Sequence, residues 1–137
     1  MSHPAGLPDL FLDRSLGRIK VPALLRVAGL RLTTLSEHYG VPVDAQIADE
    51  DWLQLAGSRG WVVLMKDKRI RYRRPELDAV KRHRVRCFCM AAGNLPAGET
   101  ADRFLRCLPA IVEACRDAGP FVYMVYENRI RKVDLGC

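Results

Sequence analysis

With 137 residues, 49% of them hydrophobic and 28% charged, the chain has the length and balance of one globular domain, 1–137, and is too short for two domains with separate cores. No stretch approaches the roughly 18 apolar residues of a membrane helix, and MSHPAGLPDLFLDRSLG lacks the basic start and apolar run of an export signal, so a cytoplasmic location is expected. The net charge of +6 and the pI near 9.3 draw on a Lys- and Arg-dense segment, KDKRIRYRRPELDAVKRHRVR at 66–86, an electrostatic footprint for a polyanion and most simply for nucleic acid.

In chain order, DLFLD (9–13) is a short apolar run that ends on an acid. GRIKVPALLRVAG (17–29) has the helical spacing Val21, Leu24, Leu25, Ala28, with Pro22 early and Gly29 at the end. LRLTTLSE (30–37) alternates like a strand. ADEDWLQLAGSRG (48–60) reads as a short helix with Trp52, Leu55 and Ala56 on one face and Asp49 as its N-cap. WVVLM (61–65) is a continuous apolar run of the kind buried on both faces of a sheet.

The second half repeats the scheme. A helix is expected around PELDAVKRH, a strand at VRCFCMA, and a long helix from about Thr100 to Ala118 that Pro109 kinks or splits. FVYMVYENRIRKVDL closes the chain as a strand, a turn at Glu127–Asn128 and an edge strand. Alternating β and α units predict a three-layer α/β/α domain around a mostly parallel sheet. The five cysteines, at 87, 89, 107, 115 and 137, show no CxxC pairing and the three histidines are scattered, so the cysteines read as small buried residues rather than zinc ligands.

In a parallel sheet, ligands gather outside the carboxyl ends of the strands. Asp13 follows LFL and Asp67 follows WVVLMK; Asp49 opens a crossover helix that starts from that same rim, and Glu37 ends the predicted strand LRLTTLSE. Taken singly, each has another explanation: a helix cap, a turn residue paired with Arg69, a surface charge. Gathered at one rim, four carboxylates repel one another, and a hard divalent cation is the natural counter-charge. Mg²⁺ or Mn²⁺ held by Asp13, Glu37, Asp49 and Asp67 would suit phosphodiester hydrolysis, with the neighbouring cations on the backbone of the polyanion. Glu50 and Asp51 need no more than compensation of the helix dipole.

The ordered series FLDRSLG (11–17), ADEDWLQLAGSRGWVVLMKDKRIR (48–71) and MAAGNLPAGE (90–99) resembles the PIN-like domains of VapC-type toxins, over roughly 11–126. That resemblance implies a Mg²⁺- or Mn²⁺-dependent ribonuclease, the toxin of a toxin–antitoxin pair, with RNA as substrate, a cognate antitoxin as partner and a homodimer as a further possibility. Asp13, Asp49 and Asp67 match the family's catalytic acids, and Glu37, in SEHYG, matches an acidic position less closely. Met65 stands where this subgroup often has Thr. Lys66, Lys68, Arg69, Arg71, Arg73 and Arg74 are the RNA-facing candidates by charge and proximity.

Two other classes compete. In a non-catalytic nucleic-acid-binding module, the 66–86 segment would bind and the acids would only cap helices. A receiver-type signalling domain would need a pair of acids after the first strand and a downstream Lys-Pro turn, and neither occurs here.

Overall fold

A computed structural model describes residues 2–66 and 74–136. Among these, six strands form one sheet in the order β2-β1-β3-β4-β5-β6: β1 Leu10–Leu12, β2 Leu32–Thr34, β3 Val62–Met65, β4 Arg86–Met90, β5 Phe121–Val125 and β6 Ile130–Lys132. All pairings are parallel except the last, β5 with β6, which the expected turn at Glu127–Asn128 joins as an antiparallel edge. Helices α1 Lys20–Val27, α2 Leu35–Tyr39, α3 Asp49–Arg59, α4 Arg74–Arg82, α5 Ala97–Arg106 and α6 Leu108–Ala114 cover the sheet, giving the expected three layers. No described helix is long and apolar enough to cross a membrane.

The continuous apolar strands are explained by burial on both faces, because successive side chains point to opposite sides. Leu10, Leu12, Val62, Leu64, Phe88, Met90, Phe121 and Val125 join the α1–α5–α6 side with Val21, Leu25, Phe104 and Ile111. Phe11, Val63, Met65, Cys87, Cys89, Val122 and Met124 face the other way, toward Leu35, Trp52, Leu53, Ala56, Leu77 and Val80 of α2, α3 and α4. Each fully buried Leu, Val or Phe side chain contributes roughly 1.5–3 kcal/mol, so both layers are needed. Cys87, Cys89, Cys107 and Cys115 are buried, and burial pushes the Cys115 thiol up to about 11.

Three expected boundaries differ, each for a local reason. Strand 30–37 stops at Thr34 because Thr34 caps α2: its hydroxyl accepts from the Glu37 N–H, and the Glu37 carboxylate accepts from the Thr34 N–H at 2.9 Å. Glu37 therefore lies in a helix, not at a strand end. The expected helix 100–118 begins three residues earlier and breaks at Cys107, since Pro109 has no N–H to continue the ladder and sits instead in the first turn of α6. Finally, Ala48 rather than Asp49 is the N-cap of α3, which leaves the Asp49 side chain for other partners.

The sheet order creates the functional geography. From β1 the chain passes through α1 to β2 on one side, then through α3 on the opposite face to β3 on the other side of β1. The crevice between the carboxyl ends of β1 and β3 is thus the topological switch point, where such sheets bind ligands.

Candidate active site

Asp13 stands in that crevice. It is the residue after β1, only 5% exposed, and it caps the 3-10 turn Arg14–Leu16. Ser15 fixes the carboxylate twice, its N–H donating to Oδ1 at 2.8 Å and its hydroxyl donating to the same oxygen. The Ser15 hydroxyl oxygen in turn accepts from the Lys66 N–H at 3.0 Å, and the Asp13 N–H donates to the Leu64 carbonyl at 3.4 Å. Those bonds stitch the end of β1 to the end of β3. Both Ser15 bonds fall on Oδ1, and among the described residues no hydrogen bond reaches the other oxygen, Oδ2.

Burial raises the Asp13 pKa to about 6; the Ser15 bonds oppose the shift, the nearby Asp49 carboxylate adds to it, and Arg14 opposes it. Asp49 is thus close enough for its charge to be felt, as the crossover argument requires. Its orientation is set from the core: the indole of Trp52, 1% exposed, donates Nε1–H to Asp49 Oδ1 at 3.0 Å. A buried indole N–H needs an acceptor, and one turn back along the helix the first-turn acid supplies it. Arg14 completes the frame. Its Nη2 donates to the carbonyls of Asp44 and Ile47 at 3.0 and 2.5 Å, and its Nη1 lies 3.8 Å from Asp49 Oδ1. One guanidinium therefore ties the turn after Asp13 to the segment that leads into α3.

Among the described residues, no group of three His, Cys, Asp or Glu stands close enough to hold a metal ion. The Asp13–Asp49 pair is the part of the expected acid set that is brought together. Asp67 lies outside the described residues, as do Lys68, Arg69, Arg71 and Arg73. Glu37 is engaged elsewhere: Arg26 donates to it at 2.7 Å and holds its pKa down, chiefly through that bond, and it is not among the charges acting on Asp13. The backbone of Lys66 is part of the β1–β3 stitch, while Arg74 opens α4 and pairs with Asp78 at 3.7 Å. Met65 is buried in the α3–α4 layer.

Several participants were not singled out from sequence. Ser15 is visible only as a hydroxyl two residues after an acid, a common turn signal. Arg14, Trp52 and the buried Asp44 act through contacts distant in sequence or through the helix repeat. Thr34-Leu-Ser-Glu37 does carry the capping-box pattern, and that signal was available.

Two carboxylates, Asp13 and Asp49, are the oxygen donors that the described residues offer at the switch point, the ligand type a hard cation takes. A third observation is comparative. A family model described as "PIN like domain" matches residues 8–92, a span that contains Asp13, Asp49 and the stitched ends of β1 and β3. The chain is 40% identical over 129 residues, 94% of each protein, to "Putative ribonuclease VapC45" of Mycobacterium tuberculosis. No solved structure matches it. By family model and by relative, the chain belongs to the PIN-like domain family of VapC-type proteins.

Proposed function

We propose that the protein is a metal-dependent endoribonuclease, the toxin of a toxin–antitoxin pair, hydrolysing RNA phosphodiester bonds with Asp13, Asp49 and Asp67 around Mg²⁺ or Mn²⁺. The observation that carries this is the buried Asp13 carboxylate, fixed by Ser15 on one oxygen and feeling the charge of a second carboxylate, Asp49. Two acids held so close, one of them desolvated, are unfavourable alone and are suited to a cation. When bound, such an ion supplies polarisation of the scissile phosphate and a lowered pKa for an attacking water.

The residues of this chain do the rest. Ser15 holds the Asp13 carboxyl in one orientation. Trp52 and Arg14 hold Asp49 beside it. Asp67, following β3, is assigned the third acidic place. Glu37, already bonded to Arg26 and to the Thr34 N–H, is assigned the task of holding α2. Lys66, Lys68, Arg69, Arg71, Arg73 and Arg74 grip the RNA backbone. An antitoxin keeps the nuclease silent, and the exposed apolar side chains of Ile19 and Val27 on α1 suit coverage by that partner or by a second copy of the chain.

The test is incubation of purified protein with a pool of structured RNAs in Mg²⁺, in Mn²⁺ and in chelator, beside Asp13→Asn. Cleavage that needs the ion and is lost in the variant is expected. Cleavage that survives chelator or the substitution overturns the mechanism, and RNA binding without cleavage in any condition points to the non-catalytic module instead.

A further inference from the structure

A cleft of about 270 Å³ opens between the 3-10 turn Arg14–Leu16, which follows Asp13, and a second such turn, Val43–Gln46. Arg14, Gly17, Arg18 and Asp44 line both this cleft and a small pit that reaches Asp13 itself, so the cleft adjoins the acid's own pit. Its remaining walls are apolar: Val41, Pro42 and Ala45, with Val41 62% exposed. Arg18 is exposed and, among the described residues, makes no hydrogen bond or ion pair. Arg14, by contrast, is pinned by two carbonyls and by Asp49. The cleft thus combines a guanidinium that has no partner among the described residues, an apolar wall and a border with the Asp13 pit.

We propose that this cleft holds the ribonucleotide adjacent to the scissile phosphate, its base against Val41, Pro42 and Ala45 and its own phosphate on Arg18. The inference rests on the ribonuclease reading and adds to it a second grip, beside the Asp13 turn. Single-stranded RNA is held by such pairings of an apolar or planar surface for the base with a cation for the backbone. A guanidinium offers a phosphate two parallel N–H donors, which an ammonium cannot. The buried Asp44 keeps phosphate out of the cleft interior by charge, so the backbone is expected at the Arg18 edge and the base inside.

Binding of a fluorescent single-stranded oligoribonucleotide to the full chain, carrying Asp13→Asn and in chelator so that nothing is cut, tests this by anisotropy across a salt series. Adding Arg18→Ala is expected to weaken binding several-fold and to reduce the slope of log K against log salt by about 0.7, one phosphate contact on a single strand. Arg18→Lys is expected to restore the slope and only part of the affinity. Arg116→Ala, at the far end of the sheet and paired with Glu113, is expected to change neither. An unchanged slope in Arg18→Ala, an equal loss in Arg116→Ala, or no binding by the parent protein overturns the inference. The ribonuclease reading is judged separately, by chelator-sensitive cleavage with Asp13 intact.

Discussion

Asp13→Asn should make the metal-free protein more stable while removing its response to divalent ions. The amide is isosteric and can still accept both Ser15 bonds through its carbonyl, so the change deletes charge and little else. The sign follows from the raised pKa. A carboxyl whose folded value is about 6 against 3.8 ordinarily opposes folding once the unfolded chain ionises, so its contribution is intact below 3.8 and lost as pH rises to 6. The gap of about 2 units, at 1.36 kcal/mol per unit, amounts to roughly 3 kcal/mol at pH 7.5, and to about 1.5 kcal/mol at pH 5. Asp13→Asn should therefore unfold in urea with about 3 kcal/mol more stability at pH 7.5 and about half that gain at pH 5. In a thermal melt the first figure corresponds to roughly 10 °C for a domain of this size. Millimolar Mn²⁺ should raise the melting temperature of the parent protein and leave that of the variant unmoved, since an ion stabilises only the state that binds it. A variant no more stable than its parent at pH 7.5, or equally stabilised at both pH values, would refute the claim that an uncompensated carboxylate is stored at the switch point.

Three further outcomes separate the site from its supports. Trp52→Phe keeps most of the packing but removes the N–H that fixes Asp49, and should lower Mn²⁺ affinity in calorimetry by roughly tenfold, with about 1–3 kcal/mol lost in urea unfolding. Glu37→Gln removes the exposed pair with Arg26 while keeping a capping-box residue; it should cost at most about 1 kcal/mol and leave Mn²⁺ affinity unchanged, whereas a large drop in affinity would give Glu37 a ligand's role. Gly57→Ala places a Cβ 2.2 Å from the His83 carbonyl oxygen, so α3 must shift from the end of α4; a loss of about 2 kcal/mol or more in urea unfolding is expected, and a neutral result would mean that the two helices are not in close contact.

What was legible in the sequence was whatever depends on local pattern. WVVLM and VRCFCMA announce strands buried on both faces because both neighbours of every residue must be apolar, and the alternation of Phe11 with Leu10 and Leu12 onto opposite layers follows from the same rule. Asp13 and Asp49 stood out as candidates because strand order and crossover direction place acids at one rim without any knowledge of side chains. Glu37 was misplaced because LRLTTLSE satisfies a period of 2 and a capping box at once. The competition is settled by Thr34, whose hydroxyl meets the Glu37 N–H and turns the chain into a helix. VPVDAQ at 41–46 has no periodicity at all. Its 3-10 turn, its buried Asp44 and the cleft beside Arg18 arise from contacts with residues some 30 positions earlier, which no local window contains.

That division has a physical reason that bears on how the site works. The acids assigned the chemistry are each oriented by a group that belongs to the fold: Asp13 by a hydroxyl that also closes β1 onto β3, Asp49 by an indole that fills the α3–α4 layer. Arg14 couples the two by reaching from the Asp13 turn across to the carbonyls of Asp44 and Ile47. A carboxylate pair without such supports would relax apart, because separation lowers the repulsion and regains water. Held together by the core, it cannot relax, and the unfavourable energy stays available to be offset by a cation. The sheet positions the acids and the core forbids their escape; on the proposed function, affinity for an ion is the difference between those two constraints and the hydration that the carboxylates gave up on folding.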